Sequence, residues 1–176
     1  MIFTPTELPG AYILDLEKRG DSRGFFARTW CQNELSAHGL NVNVVQANMS
    51  FSKTKGTLRG MHFQRAPHAE TKLVRCTMGA IYDVIVDLRP DSPTFKRWIG
   101  VELSAQNHRM LYIPEGFAHG FQTLSDDVEV TYQVTAFYTP GAEGGVRYND
   151  PAFGIEWPLD VSEISDKDRA WADFGG

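Results

Sequence analysis

Along most of the chain, apolar residues either alternate with polar ones or run in short blocks between turn signals. That is the pattern of half-buried and fully buried strands. Candidate strands are "GAYILDLE" (10–17), "NVVQANMSFS" (43–52), "TLRGMHFQ" (57–64), "TKLVRCTMG" (71–79) and "AIYDVIVDLR" (80–89). They continue through "WIGVELS" (98–104), "RMLYIP" (109–114), "AHGFQTL" (118–124) and "VEVTYQVTAFY" (128–138). In the fifth of these, Tyr82, Val84, Val86 and Leu88 line one face, and Asp83 and Asp87 share the other with Ile81 and Ile85. Helical signals are few: "CQNELSAHGL" (31–40), with Gly39 as its stop, and "SEISDKDRAW" (162–171). Short strands with tight turns predict an all-β jelly-roll sandwich or barrel with a few short helices, rather than an α/β fold. No linker, repeat or low-complexity tract divides the chain, so residues 1–176 read as one domain.

One strand does not fit its own pattern. "TLRGMHFQ" carries Arg59 and His62 among apolar residues. An unpaired polar group costs roughly 2–7 kcal/mol to bury, and residues three apart on a regular strand point to opposite faces. Gly60 offers a resolution, because a glycine inside a strand often marks a bulge. A bulge there brings both side chains toward one space. Otherwise Arg59 is a surface residue and His62 a core histidine with a local partner.

Composition narrows the classes of function. The formal charge of −5 argues against general nucleic-acid binding, which favours a basic surface, but leaves room for a local basic pocket. Cys31 and Cys76 are too few for a disulfide framework and lack metal-ligand spacing, so they read as reduced thiols of a cytoplasmic protein. The N-terminal segment has no basic region followed by an apolar run, and no stretch reaches membrane-span length.

Several further residues could carry chemistry. In "PEGFAHGF" (114–121), a Pro-x-Gly turn leads into a strand bearing His119, the way cupin barrels often deliver a ligand inward. With His62, His68 and Glu70 a metal site can be imagined, since first-row metals favour such sets. Gln64 stands where a His-x-His ligand pair would need its second histidine, so no metal is expected. Lys72 and Arg75 add positive charge. Arg23, in "GDSRGFF" beside Phe25 and Phe26, suits an anion with an aromatic ring, or a plain surface turn. Tyr132 shares parity with Val130 and Val134 and faces inward, as a core ring or a general acid. Asp168 closes a Ser-x-x-Asp capping box, or orients a histidine.

In order and spacing, "DSRGFF", "VVQANMSFS", "GTLRGMHFQ", "ETKLVRC", "YDVIVDLR", "SPTF", "YIPEGFAHGF", "YQVTAFY", "YNDPAFGIEWP" and "SDKD" resemble the dTDP-4-dehydrorhamnose 3,5-epimerases, cupins of deoxysugar biosynthesis. The resemblance implies a cupin jelly roll, a homodimer, no metal or other cofactor, and a nucleotide-linked 4-keto-6-deoxyhexose substrate. It implies His62 as the base at C3 and C5, Asp168 as its orienter, Lys72 at the enolate oxygen and Tyr132 as the acid on the opposite face. Arg23, Gln46, Asn48, Arg59, His119, Glu143 and Lys167 match substrate-contacting positions. Phe26 and Arg28 fall in the same set, and Tyr138 matches the aromatic that stacks on the nucleobase.

Two positions depart from the family pattern. Arg28 stands where a glutamate usually helps hold the thymine, and Ala47 replaces an aspartate between Gln46 and Asn48. A CDP- or other nucleotide-linked sugar, or inversion at C3 alone, is therefore an alternative. A non-catalytic nucleotide-sugar-binding cupin is a further one.

Overall fold

The structure, a computed structural model, describes residues 1–175. Two antiparallel sheets stack face to face. The first holds β1 (Ile2–Pro5), β2 (Tyr12–Asp15), β5 (Gln46–Ser52), β7 (Lys72–Met78), β10 (Met110–Ile113) and β12 (Val128–Val134), in the order β1-β2-β10-β7-β12-β5. The second holds β6 (Thr57–Gln64), β8 (Ala80–Asp87), β9 (Trp98–Ser104), β11 (Phe117–Thr123) and β13 (Glu143–Gly145), in the order β13-β6-β11-β8-β9. A short β14 (Glu163–Ile164) runs parallel to the start of β6. Strands β3 (Arg19–Asp21) and β4 (Gly24–Phe26) form a separate hairpin, α1 spans Gln32–Ala37, and α2 spans Asp166–Arg169. This is the jelly roll expected from the strand pattern.

The main core lies between the sheets and joins Val74 and Cys76 of β7 and Val128 and Val130 of β12 to Ile81 and Ile85 of β8. The opposite face of β8 is also covered, with Val84 and Val86 packed against Met61, Val146 and Phe153. Burial on both faces explains why β8 reads as nearly continuous apolar sequence. Asp83 and Asp87 are therefore buried rather than solvated. Against the cost of burial, hydrogen bonds from Arg89, Ser92 and Thr94 hold the Asp87 carboxyl well below the usual range. Cys31 and Cys76 are free thiols, and burial above all pushes Cys76 up to about 11.

Five short strands, β1, β3, β4, β13 and β14, were not expected, and the expected elements differ at their ends. The strand expected over 128–138 stops at Val134, so Tyr138 lies in a loop, where its N–H donates to Gln46 Oε1. The first helix is shorter than expected and ends ahead of Gly39, whose φ of 69° takes the left-handed turn foreseen for it. The second shrinks to a single turn, because residues 163–164 pair with β6 instead.

Candidate active site

The bulge in β6 is present, and it is what builds the site. Opposite β11, His62 pairs with His119 but Arg59 pairs with Phe121, so β6 carries one extra residue between them. Gly60 takes a φ of 125°, and a Cβ there would lie 2.5 Å from Gly120 Cα. Only glycine permits that approach. Met61 turns away into the core as a fully buried side chain, worth roughly 1.5–3 kcal/mol. Arg59 and His62, three apart, consequently face the same cavity.

That cavity, about 800 Å³, lies between the sheets and is bounded by Arg59, His62 and His119 on one wall and Lys72 and Tyr132 on the other. It shares His62, Lys72, Tyr132 and Lys167 with a smaller compartment of about 280 Å³. Gln46, Asn48, Tyr138 and Glu143 line this second space.

His62 Nε2 lies 2.6 Å from Asp168 Oδ1, and the ring is 41% exposed while the carboxylate is 6% exposed. The other oxygen, Oδ2, accepts from the Gly60 N–H at 3.0 Å. Burial pushes the Asp168 carboxyl up, but the hydrogen bond and charge of His62, with donors at Gly60 and Ser165, bring it below its ordinary value. An ionised carboxylate at Nε2 keeps the proton there and leaves the Nδ1 lone pair as the basic one. Asp168 makes only half of the expected capping box. Its own N–H donates to Ser165 Oγ at 3.1 Å, capping α2, while its carboxylate is free to meet His62.

The opposite wall carries Lys72, whose Nζ is 3.2 Å from Glu70 Oε1. Tyr132 packs against the main core. Burial first, and the Glu70 charge second, push its phenol above the ordinary range. Arg59 donates to Ser52 Oγ (3.0 Å) and to the Phe51 carbonyl (2.9 Å), which fixes its guanidinium at the rim. Lys167 and Glu143 form a 2.8 Å ion pair that raises the one and lowers the other.

Other residues go elsewhere. Arg75 points to the outer face of the first sheet, beside Leu73 and Met110, and His68 turns to Thr139. Arg23, Phe26 and Arg28 line neither compartment. Arg23 pairs with Asp21 inside the β3–β4 hairpin, Phe26 is 70% exposed, and Arg28 is held 2.7 Å from Glu34. Ala47 lies on the outer face of β5, so its lost carboxylate does not alter the cavity beneath. Two contacts carry no signal in the sequence, Asp83 with His119 and Glu70 with Lys72. Asp83 Oδ1 is 2.7 Å from His119 Nε2, and the sequence shows only an acid sharing a face with Ile81 and Ile85.

A jelly roll with a carboxylate-oriented histidine facing a lysine and a tyrosine defines a cupin-type enzyme of acid–base chemistry. Comparison with known proteins is more specific. The family described as dTDP-4-dehydrorhamnose 3,5-epimerase matches residues 5–175, and this chain belongs to it. The dTDP-4-dehydrorhamnose 3,5-epimerase of Salmonella typhimurium is 50% identical, over 97% of this chain and 93% of that protein. The Bacillus anthracis enzyme, in a crystal structure with TDP and PPi bound, superposes with a TM-score of 0.95 at 46% identity, covering 98% of this chain and 99% of that one. The Legionella pneumophila epimerase, in complex with dTDP-4-keto-L-rhamnose, gives 0.90 at 39% identity, covering 97% and 90%. No described helix is long and apolar enough to cross a membrane.

Proposed function

We propose that the chain is a cofactor-independent 3,5-epimerase that converts dTDP-4-dehydro-6-deoxy-D-glucose to dTDP-4-dehydro-L-rhamnose. The observation that carries this reading is the placement of His62 and Tyr132 on opposite walls of one cavity. A base and an acid on opposite sides of a sugar ring are what inversion at carbon requires.

His62 Nδ1 takes the proton from C3, and the C–H electron pair moves into the ring to make an enolate at the C4 oxygen. Lys72 supports that developing charge, the largest electrostatic demand of the step. Tyr132 then gives its proton to C3 from the far face, and the ketone re-forms. His62 is left protonated and Tyr132 ionised, so one proton must pass between them through solvent before C5 reacts likewise. Asp168 stabilises the imidazolium between steps. Arg59 and His119 contact the substrate from the same wall, and Gln46, Asn48, Glu143, Lys167 and the Tyr138 ring serve the nucleotide in the smaller compartment. Residues 1–176 act as one catalytic domain, in the cytoplasm.

On the family resemblance Arg23, Phe26 and Arg28 are expected to contact substrate, and in one chain they stand apart from the cavity. A homodimer reconciles the two: the β3–β4 hairpin of one protomer reaches the cavity of its partner. In support, β1 lies at a free sheet edge, and β5 turns Met49 and Phe51 outward, 64% and 46% exposed. Co-expressing Arg23→Ala with His62→Ala tests this. Random hybrids restore one intact site in half the dimers, so roughly a quarter of wild-type activity should return. No recovery rules out a shared site.

The reaction itself is tested in D₂O with dTDP-4-keto-6-deoxyglucose, locating deuterium by mass spectrometry and NMR. Label at C3 and C5 with an L-configured product is expected. Label at C3 alone means a single-centre epimerase, a reading kept open by Arg28 standing where the family carries a glutamate. If neither carbon takes up deuterium and CDP- and GDP-linked analogues are also inert, the enzyme reading fails.

A further inference from the structure

Glu70 is a largely enclosed carboxylate to which the mechanism above gives no task. It stands in the turn before β7 with 12% of its side chain exposed, its Oε1 3.2 Å from the equally enclosed Lys72 Nζ. Its Oε2 receives a longer contact, 3.4 Å, from Gln64 Nε2. It lines the smaller compartment beside Lys72 and Tyr132. A carboxylate inside a cleft that admits a diphosphate repels its own ligand. Such a group needs a local reason to be there.

Building on the epimerase reading, we propose that Glu70 is a positioning residue of the reaction, anchoring the Lys72 ammonium for the enolate oxygen and setting a negative charge in the compartment that Tyr132 lines. A lysine is a point charge on a flexible four-carbon stem. A fixed, enclosed partner removes most of the positions it would otherwise sample. Glu70 acts on Tyr132 through charge: after burial, it is the principal influence raising that phenol, with Arg59 opposing it.

Other charged groups face Tyr132 as well. They are Arg59 and His62 of β6, Lys72 of β7, His119 of β11, and Glu163, Lys167, Asp168 and Arg169 of the C-terminal segment, with Glu143 and Tyr138 around the smaller compartment. Asp168 is engaged by His62 and Glu143 by Lys167. The cations among them favour tyrosinate, and Glu70 is the nearby carboxylate that counters them.

Glu70→Gln removes the charge but keeps the shape and an acceptor for Lys72. Carbon-13 at the tyrosine Cζ, with Tyr132 assigned by Tyr132→Phe, follows the phenol without any turnover. In Glu70→Gln, Tyr132 should ionise at lower pH than in wild type. The alkaline limb of kcat should move the same way, with kcat near neutrality down roughly 3–10-fold and KM within about twofold. An unmoved Tyr132 titration overturns the proposal. So does a lower Tm with an unmoved pH profile, which marks a merely structural carboxylate. Should the wild-type protein exchange no deuterium, the epimerase reading falls and this role with it. Exchange with an unmoved Tyr132 overturns the role of Glu70 alone.

Discussion

Two histidine–carboxylate pairs present their histidines to the cavity, and those histidines are direct cross-strand neighbours. In contact distance they are nearly alike, 2.6 Å for His62–Asp168 and 2.7 Å for His119–Asp83. Their surroundings differ. Both Asp168 oxygens have donors, and the carboxylate arrives on a one-turn helix near the end of the chain. Asp83 sits in the middle of β8 with no exposure, and its Oδ2 has no partner among the described residues. The His62 ring is substantially exposed, while His119 is only 10% exposed. His62 can exchange protons with substrate and water. His119, little exposed and held by a carboxylate with no exposure, is fixed in place instead. The same pair of functional groups is thus suited to proton transfer in one place and to fixed binding in the other.

The sharpest way to break this contrast is to remove each ring. His62→Asn should cut deuterium exchange by roughly 10²–10⁴-fold with the fold intact. His119→Asn should instead raise KM about tenfold, with kcat little changed. Equal loss of exchange in both variants would erase the distinction and put two bases in one cavity.

The carboxylates sharpen it further, with smaller effects. Asp83→Asn removes a carboxylate with no exposure from its pair with His119 and should cost about 2–3 kcal/mol, seen as a lower Tm. Asp168→Asn should lower kcat more than it lowers Tm. Its effect on stability has a predictable pH dependence. The Asp168 carboxyl is depressed in the folded protein, so its contribution is complete above the ordinary carboxylate value of about 3.9 and is lost as pH falls toward the depressed one. Acid unfolding followed by circular dichroism should therefore be less steep in Asp168→Asn below about pH 4. A steeper curve would mean that the pair does not stabilise the carboxylate.

Much of this molecule was legible before the fold. The strand 57–64 has the expected bounds, and the structure chose the bulge at its glycine over the alternative of a surface arginine and a core histidine. Strands of seven or eight residues declare themselves by period and turn signals. Strands β1, β3, β4, β13 and β14, two to four residues long, are too short to show a period. Tyr138 was assigned to a strand because "VTAFY" continues the apolar run, whereas the chain leaves the sheet after Val134.

By itself, the sequence determined the all-β class, the series of motifs that marks the family, and the residue types available for acid–base work. These are local properties, written in periods, turns and neighbouring side chains. Only the tertiary structure decided which groups meet. It stacked two sheets so that Tyr132 faces His62, brought Asp168 across 106 positions to a histidine, and paired Asp83 with His119. It also left the β3–β4 hairpin outside the chain's own cavity. Those outcomes depend on strand register and sheet packing between distant segments, and no local pattern specifies them.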